Sequence, residues 1–215
     1  MSYDVVIVDG NNMFYKAFSV YKDFSTFTGD REVFTGGTYG LVNSILTLKR
    51  DHKPSKIVVA WDRGHDARSA LYPEYKANRD KSDEEFFENF YTQMDMAKNV
   101  LKYLGVVQAS KEGEEADDIV GTLSRQFRDA GDNVLMVSAD KDYQQLIDNR
   151  ITLLAHKGKD NIKLWSDVDW AEMNGFHPAY FSMALGLMGD VGDNIPGVQG
   201  IGEKGAYKLI VENFA

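Results

Sequence analysis

The stretch that decides the fold is Val134-Leu135-Met136-Val137-Ser138-Ala139-Asp140-Lys141-Asp142, a short apolar run followed by two carboxylates. Similar runs precede Asp9 and Asp62, and a fourth covers residues 151–155. Uninterrupted runs of this length are typical of strands buried in a parallel sheet. We predict strands over 4–8, 57–61, 134–138 and 151–155. Helical patterns near 38–50, 83–104, 115–131 and 141–148 alternate with them. The chain is therefore predicted to have an α/β fold with a mainly parallel central sheet flanked by helices.

The composition describes a globular chain without cysteine chemistry. It has 215 residues, 43% of them hydrophobic, and no cysteine, which allows one substantial core and excludes disulfides and cysteine catalysis. No apolar stretch approaches the ~20 residues that span a bilayer, and the N-terminus lacks a signal-peptide pattern. We therefore expect a cytoplasmic protein with no membrane partner. The net charge of −9 argues at first sight against a polyanionic partner, but the local distribution of charge decides what a surface attracts.

The C-terminal part of the chain is predicted to form a separate small module. Ser166 can cap a helix through Asn174, and His177-Pro178 can open another toward Gly189. A hinge rich in glycine and proline leads into a last helix from about Glu203. We place a boundary near residue 175, which divides the chain into a core of residues 1–175 and a module of residues 176–215.

Acidic residues recur where the predicted strands end or the helices begin. Besides Asp9, Asp62 and the pair Asp140 and Asp142, acids cluster at 114–118 and at 190–193. Each cluster alone could be a helix cap or a first-turn dipole partner. The carboxyl ends of parallel strands share one edge of the sheet, however, so these acids are expected to converge. Hard divalent cations are the usual countercharge, and all-oxygen sites favour Mg²⁺ or Mn²⁺ over Zn²⁺.

A basic and aromatic segment follows Asp62 directly. Cations beside a hard-metal site suit a phosphodiester, and aromatic rings can stack on exposed bases. The alternative is a solvated basic loop with structural tyrosines. Tyr15 and Lys16, a few residues past Asp9, have the same two interpretations. The residues of the segment are Arg63, Arg68, Tyr72, Tyr75, Lys76, Arg79 and Lys81.

A glycine-rich stretch between 193 and 205 is a candidate phosphate site. Gly200, Gly202 and Gly205 fit G-x-G-x-x-G by letter, but no strand precedes them, so a Rossmann site is not expected. Such glycines can leave backbone N–H groups free at a helix N-terminus, where phosphate binds. Lys204 and Lys208, four residues apart, would flank the site on one helix face. The alternative is a connector that binds nothing.

Together these motifs resemble the 5′ nuclease family, which comprises the 5′ nuclease domain of bacterial DNA polymerase I, bacteriophage 5′ exonucleases and flap endonucleases. The motifs stand in family order over nearly the whole chain. They are Asp9-Gly10-Asn11-Asn12, Tyr75-Lys76-Ala77-Asn78-Arg79, Glu115-Ala116-Asp117-Asp118, Ala139-Asp140-Lys141-Asp142, and Gly189 to Val198 continued by Gly202-Glu203-Lys204.

The resemblance implies a PIN-like core and assigns roles to residues of this chain. Lys76 and Arg79 would engage the scissile phosphate, Asp9 would be a further catalytic residue beside the metal-binding carboxylates, and Tyr15 would stack on the terminal base pair. Residues 181–212 would form a helix-three-turn-helix that grips duplex DNA and can hold K⁺ through backbone carbonyls. The implied ligands of two metal ions are Asp9, Asp62, Glu115, Asp117, Asp118, Asp140, Asp142, Asp190 and Asp193. The implied DNA contacts are Tyr15, Lys16, Arg68, Tyr75, Lys76, Arg79, Gly200, Gly202, Lys204 and Lys208.

The implied activity is a metal-dependent, structure-specific 5′ nuclease, monomeric, in a bacterial or phage-infected cell. Its substrates would be DNA with 5′ flaps, nicks or 5′ ends, or an RNA/DNA hybrid. Two departures from the family are visible: the arch segment, about 70–100, is short and acidic after Arg79, and the chain stops at Ala215, where relatives continue with further helices. A nuclease acting mainly on RNA and a DNA-binding module with degenerate catalysis are the alternatives.

Overall fold

A computed structural model describes residues 2–78, 82–156 and 162–214 of the chain. Its strands are β1 (Val5–Asp9), β2 (Ser25–Thr28), β3 (Arg31–Phe34), β4 (Lys56–Ala60), β5 (Val107–Ala109), β6 (Val134–Val137), β7 (Ile151–His156) and β8 (Ile162–Trp165). Six of these strands form one sheet in the order β5-β4-β1-β6-β7-β8, in which only β8 runs antiparallel to its neighbour. Strands β2 and β3 form a separate hairpin.

The helices lie on both faces of the sheet. They are α1 (Gly10–Tyr21), α2 (Gly36–His52), α3 (Asp66–Leu71), α4 (Glu84–Tyr103), α5 (Ala116–Asp129), α6 (Asp167–Asn174), α7 (Phe181–Met188) and α8 (Glu203–Phe214). Two short 3₁₀ helices cover Lys141–Leu146 and Pro178–Tyr180. Among the described helices, none is both long enough and apolar enough to cross a membrane.

The apolar core has two layers because successive side chains of a strand point to opposite faces of the sheet. In β1, Val6 and Val8 pack with the layer formed by α1, α2 and α4. Val5 and Ile7 pack with the other layer, which contains α5 and residues of α6, α7 and α8. β1 is therefore buried on both sides, as its uninterrupted apolar sequence requires.

The predicted fold class is confirmed. The four predicted strands and the helices near 38–50, 83–104 and 115–131 lie within a few residues of their expected bounds, as do the helices predicted after Ser166, His177 and Gly202. The segment 141–148, predicted as an α-helix, is instead a six-residue 3₁₀ helix. The helices α7 and α8 contribute Phe181 and Ile210 to the same buried cluster as β1. The division into residues 1–175 and 176–215 stays a prediction.

Four kinds of element were not predicted: helices α1 and α3, the hairpin of β2 and β3, the short strand β5 and the antiparallel strand β8. The hairpin is almost wholly exposed, so it carries no alternation between buried and polar positions. Strand β5 has three residues and none of them is fully buried. Strand β5 also gave a weak signal because it pairs with β4, which is distant in the chain.

Candidate active site

Three parallel strands bring acidic residues to one edge of the sheet. Strand β1 lies between β4 and β6, so the segments that follow these strands are neighbours in space. Asp9 is the last residue of β1, Asp62 follows β4 by two residues, and Asp140 follows β6 by three. This edge is where ligands bind in open α/β sheets.

Two asparagines at the start of α1 tie these strand ends together. The side-chain carbonyl of Asn11 accepts a hydrogen bond from the backbone N–H of Asp62 at 2.9 Å. The side-chain carbonyl of Asn12 accepts one from the backbone N–H of Ala139, also at 2.9 Å. The turn after β1 thus fixes the turns after β4 and β6. The sequence did not predict these roles, because it presents the two asparagines only as part of the motif Asp9-Gly10-Asn11-Asn12.

Of the three acids at the strand ends, Asp9 is the most buried, with 7% of its surface exposed. It caps α1 by accepting the backbone N–H of Asn12 at 3.0 Å, and it accepts the hydroxyls of Ser138 at 3.1 Å and Tyr143 at 3.0 Å. Burial raises the pKa of Asp9 to about 6, and the nearby charge of Asp62 adds to the rise, although the hydrogen bonds oppose it. The carboxylate is therefore held in place at an electrostatic cost that a cation would relieve.

A second group of acids begins α5. Glu115 caps this helix and is buried, and its backbone N–H donates to the carboxylate of Asp118 at 3.2 Å. Arg68 of α3 donates two hydrogen bonds to Asp118, at 2.6 and 3.0 Å, and one to Asp117 at 3.1 Å. Burial also raises the pKa of Asp117 to about 6, against the opposing charge of Arg68. Arg68, predicted to contact DNA, is thus engaged with carboxylates in this structure.

Tyr75 and Lys76 lie between the acids of α5 and those near residue 190. The hydroxyl oxygen of Tyr75 lies 2.8 Å from a carboxylate oxygen of Glu115 and 3.1 Å from one of Asp193, so its single proton is shared between these two acceptors. The ammonium of Lys76 forms an ion pair with Glu115 and lies 3.9 Å from a carboxylate oxygen of Asp193. Tyr75 is buried, with 7% of its surface exposed, so its predicted contact with DNA remains a prediction that this packing does not favour.

A third group joins the 3₁₀ helix after β6 to the turn after α7. The ammonium of Lys141 pairs with Asp190 at 3.1 Å. Burial alone would raise the pKa of Asp190, but the hydrogen bond and charge of Lys141 and two backbone N–H groups outweigh it and lower the pKa below its ordinary value. Burial raises the pKa of Asp142 to about 6, with a further rise from the charge of Asp140. The Oδ1 atom of Asp142 is buried and has no hydrogen-bond partner.

The acids thus lie along one edge of the fold, and side-chain cations balance only some of them, at the start of α5 and in the turn after α7. Within the described ranges, no three side chains of His, Asp or Glu form a ready-made metal cluster. Arg68, Lys76 and Lys141 hold the carboxylates nearest to them. The donor set is nevertheless all oxygen, and the unpartnered Oδ1 of Asp142 fits a hard cation such as Mg²⁺. The assignment of metal ligands remains a prediction.

Tyr15 and Lys16 lie beside this edge of the sheet. Both line a cavity of about 430 Å³ together with Asn12, Ser138 and Ala139, residues that contact Asp9 or neighbour Asp140. The side chain of Tyr15 is 56% exposed, and burial lowers the pKa of Lys16 below its ordinary value. An exposed ring at this point is compatible with stacking on a nucleobase, so the predicted role of Tyr15 stays open to experiment.

The glycine-rich segment lies between α7 and α8. Gly200 has a φ of +81°, and added β-carbons at Gly200 and Gly202 would meet no neighbouring atom within 4 Å. Lys204 and Lys208 are exposed on α8, where Lys208 lies 3.7 Å from Glu212. Their predicted contact with DNA stays a prediction. Arg79, predicted to engage the scissile phosphate, lies outside the described residues.

The residues that sequence reasoning missed are those that hold the acids in place. Ser138 and Tyr143 donate to Asp9, and Lys141 pairs with Asp190. The only sequence signal for Ser138 and Tyr143 is that they lie on either side of the Asp140 to Asp142 motif. Lys141 stands between the two acids of that motif. A positively charged residue inside an acidic motif is the one local signal that could have indicated an ion pair.

Comparisons with known proteins agree with this architecture. The family model described as "5'-3' exonuclease, N-terminal resolvase-like domain" matches residues 4–173. A solved structure of a bacteriophage T5 flap endonuclease, a pseudo-enzyme-product complex with DNA and metal ions, superposes with a TM-score of 0.78 at 24% sequence identity. That likeness covers 97% of this chain and 74% of the other, and it supports the fold.

Curated relatives extend the match to nearly the whole chain. The DNA polymerase I of Chloroflexus aurantiacus is 35% identical over 211 residues, which are 96% of this chain but 22% of that relative. The chain therefore spans less than a quarter of that relative's length. The 5′-3′ exonuclease of Bacillus subtilis strain 168 is 35% identical over 213 residues, which are 97% of this chain and 70% of the relative. The chain therefore belongs to the 5′-3′ exonuclease family.

Proposed function

We propose that the chain is a metal-dependent nuclease that hydrolyses phosphodiesters at or near the 5′ ends of DNA, as a 5′-3′ exonuclease and flap endonuclease. The observation that carries the proposal is the convergence of acids from three strand ends, the start of α5 and the turn after α7, with Lys76 among them. The relative from B. subtilis bears the name of a 5′-3′ exonuclease. The solved T5 structure contains DNA and metal ions.

The residues that would hold two Mg²⁺ or Mn²⁺ ions are the gathered carboxylates. Two features support the binding of cations by these acids. The Oδ1 atom of Asp142 is buried and has no hydrogen-bond partner. The pKa values of Asp9, Asp117 and Asp142 are raised, mainly by burial, so a bound cation would stabilise their ionised forms. When bound, such ions would activate a water molecule for in-line attack and stabilise the leaving 3′ oxygen. Binding of the ions would require the acids to lose some of their ion pairs with Arg68, Lys76 and Lys141.

The protein's own groups would orient the scissile phosphate. The side chain of Lys76 is 14% exposed and its ammonium lies among the acids, so it could turn from Glu115 to a phosphate oxygen once metal ions balance that acid. Tyr143 and Ser138 keep Asp9 fixed through hydrogen bonds, which limits reorganisation during the reaction. Tyr15, exposed beside the acids, would support the terminal base of the substrate.

We further propose that residues 176–215 bind duplex DNA through its backbone. The support is a pair of helices, α7 and α8, joined by a glycine-rich segment, with Lys204 and Lys208 exposed on the second helix. Free N–H groups at the start of α8 would suit a phosphate, and carbonyls of the segment could hold K⁺. The chain would act as a monomer on flaps, nicks and 5′ ends in the cytoplasm.

One assay tests the proposal directly. A 5′-labelled flap duplex of DNA and its RNA counterpart are incubated with Mg²⁺, with Ca²⁺ and with EDTA, and Asp140→Asn is the matched control for a contaminating nuclease. We expect cleavage of DNA near the flap junction in Mg²⁺ and none in EDTA. Faster cleavage of the RNA counterpart would favour a ribonuclease, and binding without cleavage in Mg²⁺ would favour a DNA-binding module.

A further inference from the structure

The loop that carries Lys76 is joined to the turn after α7 by three hydrogen bonds to backbone carbonyls. The backbone N–H of Lys76 donates to the carbonyl of Asp193 at 3.0 Å. The side-chain amide of Asn78 donates to the carbonyl of Val191 at 2.9 Å. In the opposite direction, the side-chain amide of Asn194 donates to the carbonyl of Glu74 at 2.8 Å. The two amide bonds join residues that are 113 and 120 positions apart in the chain.

The backbone at this junction is held in an unusual conformation on both sides. Lys76 has a φ of +56° and Asn194 a φ of +59°. Asparagine tolerates this left-handed region, but lysine rarely adopts it. Such a conformation persists only where the surrounding contacts impose it. The hydrogen bond from the Lys76 N–H and the two side-chain amide bonds tie this backbone to the turn after α7, beside the contacts of the Tyr75 hydroxyl with Glu115 and Asp193.

The position of the Lys76 ammonium depends on this junction. Glu74, Ala77 and Asn78 are exposed, so burial does little to hold the loop apart from the buried ring of Tyr75. The ammonium nevertheless reaches Glu115 and lies 3.9 Å from Asp193. The loop and the turn therefore form one unit whose geometry sets where the charge of Lys76 lies.

We propose that Asn78 and Asn194 are positioning residues. Each forms one side-chain hydrogen bond, here called a clip, between the Lys76 loop and the Asp190–Asn194 turn, and the two clips together fix the ammonium of Lys76 in the active site. The proposal rests on the proposed function, in which Lys76 contacts the scissile phosphate. Beyond that function, the Asp190–Asn194 turn, which leads to the proposed duplex-binding segment, would hold Lys76 in place. A misplacement of about 1 Å can cost ~10²-fold in rate, so loss of either clip should slow cleavage.

The variants are chosen to remove one amide donor at a time. Asn78→Ala removes the hydrogen bond to the carbonyl of Val191. Asn78→Asp keeps the shape of the side chain but lacks the donating NH₂ group. The same effect in both variants would therefore come from the lost hydrogen bond and not from a folding defect of one of them. Asn194→Gly removes the bond to Glu74 without backbone strain, because glycine adopts a positive φ freely. Asn174→Ala is the matched control: its amide also donates to a backbone carbonyl, that of Trp170 at 2.9 Å, but within α6.

The first measurement needs no substrate. Lysine acylation by a water-soluble succinimidyl ester, quantified at each lysine by mass spectrometry, reports how accessible Lys76 is in the free protein. Loss of a clip should raise the labelling rate at Lys76 several-fold, leave Lys204 unchanged, and have no effect in Asn174→Ala. Unchanged labelling of Lys76 in the folded clip variants would overturn the proposal, whatever the enzyme's activity.

The second measurement connects the clip to the reaction. In single-turnover cleavage of the flap duplex with Mg²⁺, the clip variants should be slower by about 10-fold or more, with little change in binding measured in Ca²⁺. In a Lys76→Ala background, which keeps the β-carbon, removing a clip should slow the reaction no further. An equal slowing in both backgrounds would overturn the proposal. If the wild type does not cut this substrate, the proposed function fails, but the labelling test of the clip still stands.

Discussion

Replacing Asp9 by asparagine should stabilise the metal-free protein at neutral pH, although Asp9 sits at the centre of the acidic site. Burial raises the pKa of Asp9 from 3.8 to about 6. One pKa unit corresponds to about 1.4 kcal/mol, so the ionised form costs about 3 kcal/mol on folding. Asparagine carries no charge, and it can still accept the Asn12 N–H. The hydroxyls of Ser138 and Tyr143 donate to the other oxygen of Asp9, where asparagine would place its NH₂ group. They would have to rotate and accept instead, which lowers the gain in stability by about 1 kcal/mol.

The effect has a defined dependence on pH. Because the pKa of Asp9 is raised in the folded state, its favourable contribution is complete below pH 3.8 and is lost as the pH rises to about 6. The free energy of unfolding of Asp9→Asn minus that of wild type should therefore increase by about 3 kcal/mol between about pH 3 and pH 7.5. At about pH 7.5 the net gain should be about 2 kcal/mol.

Urea unfolding followed by circular dichroism, in EDTA at several pH values, measures this difference. Asp148→Asn is the control, because Asp148 pairs with Arg128 at 2.7 Å and accepts two backbone N–H groups. It should destabilise the protein at neutral pH. A difference between Asp9→Asn and wild type that stays constant to within about 0.5 kcal/mol over this pH range would refute the reasoning, since it would mean that Asp9 bears no charge-burial cost.

Further outcomes follow from the same site. Millimolar Mg²⁺ should raise the melting temperature of the wild type, because a ligand of the native state stabilises it by mass action, and an unchanged value in a thermal scan would count against a metal site. Asp140→Asn should abolish cleavage while DNA affinity in Ca²⁺ stays equal or rises, and near-normal cleavage would remove Asp140 from the metal ligands. Lys76→Ala should lower the single-turnover rate by ~10²-fold with little loss of binding, whereas the exposed Lys102→Ala should not. Gly202→Val, which meets no neighbour, should fold normally yet weaken duplex binding in titrations more than cleavage of a short single strand, and equal losses would give the segment a structural role only.

Sequence alone determined the fold class and the place of the acids. The alternation of short apolar runs with helical periods follows from side-chain burial, which is a local property of each element. Acids after β1, β4 and β6 had to meet at one edge, because parallel strands that are hydrogen-bonded neighbours end on the same side. The sequence is therefore sufficient to group Asp9, Asp62 and Asp140.

Only the tertiary structure decided which groups balance those acids. Arg68 lies about 50 positions from Asp118, and Tyr75 lies 118 positions from Asp193, so no local pattern could pair them. The raised pKa values of Asp9, Asp117 and Asp142 arise first from burial, which depends on how distant segments pack around each carboxylate. The left-handed backbone of Lys76 is likewise set by contacts with a distant segment. Local sequence sets which elements form, whereas charge balance and strain depend on contacts that exist only once the chain has folded.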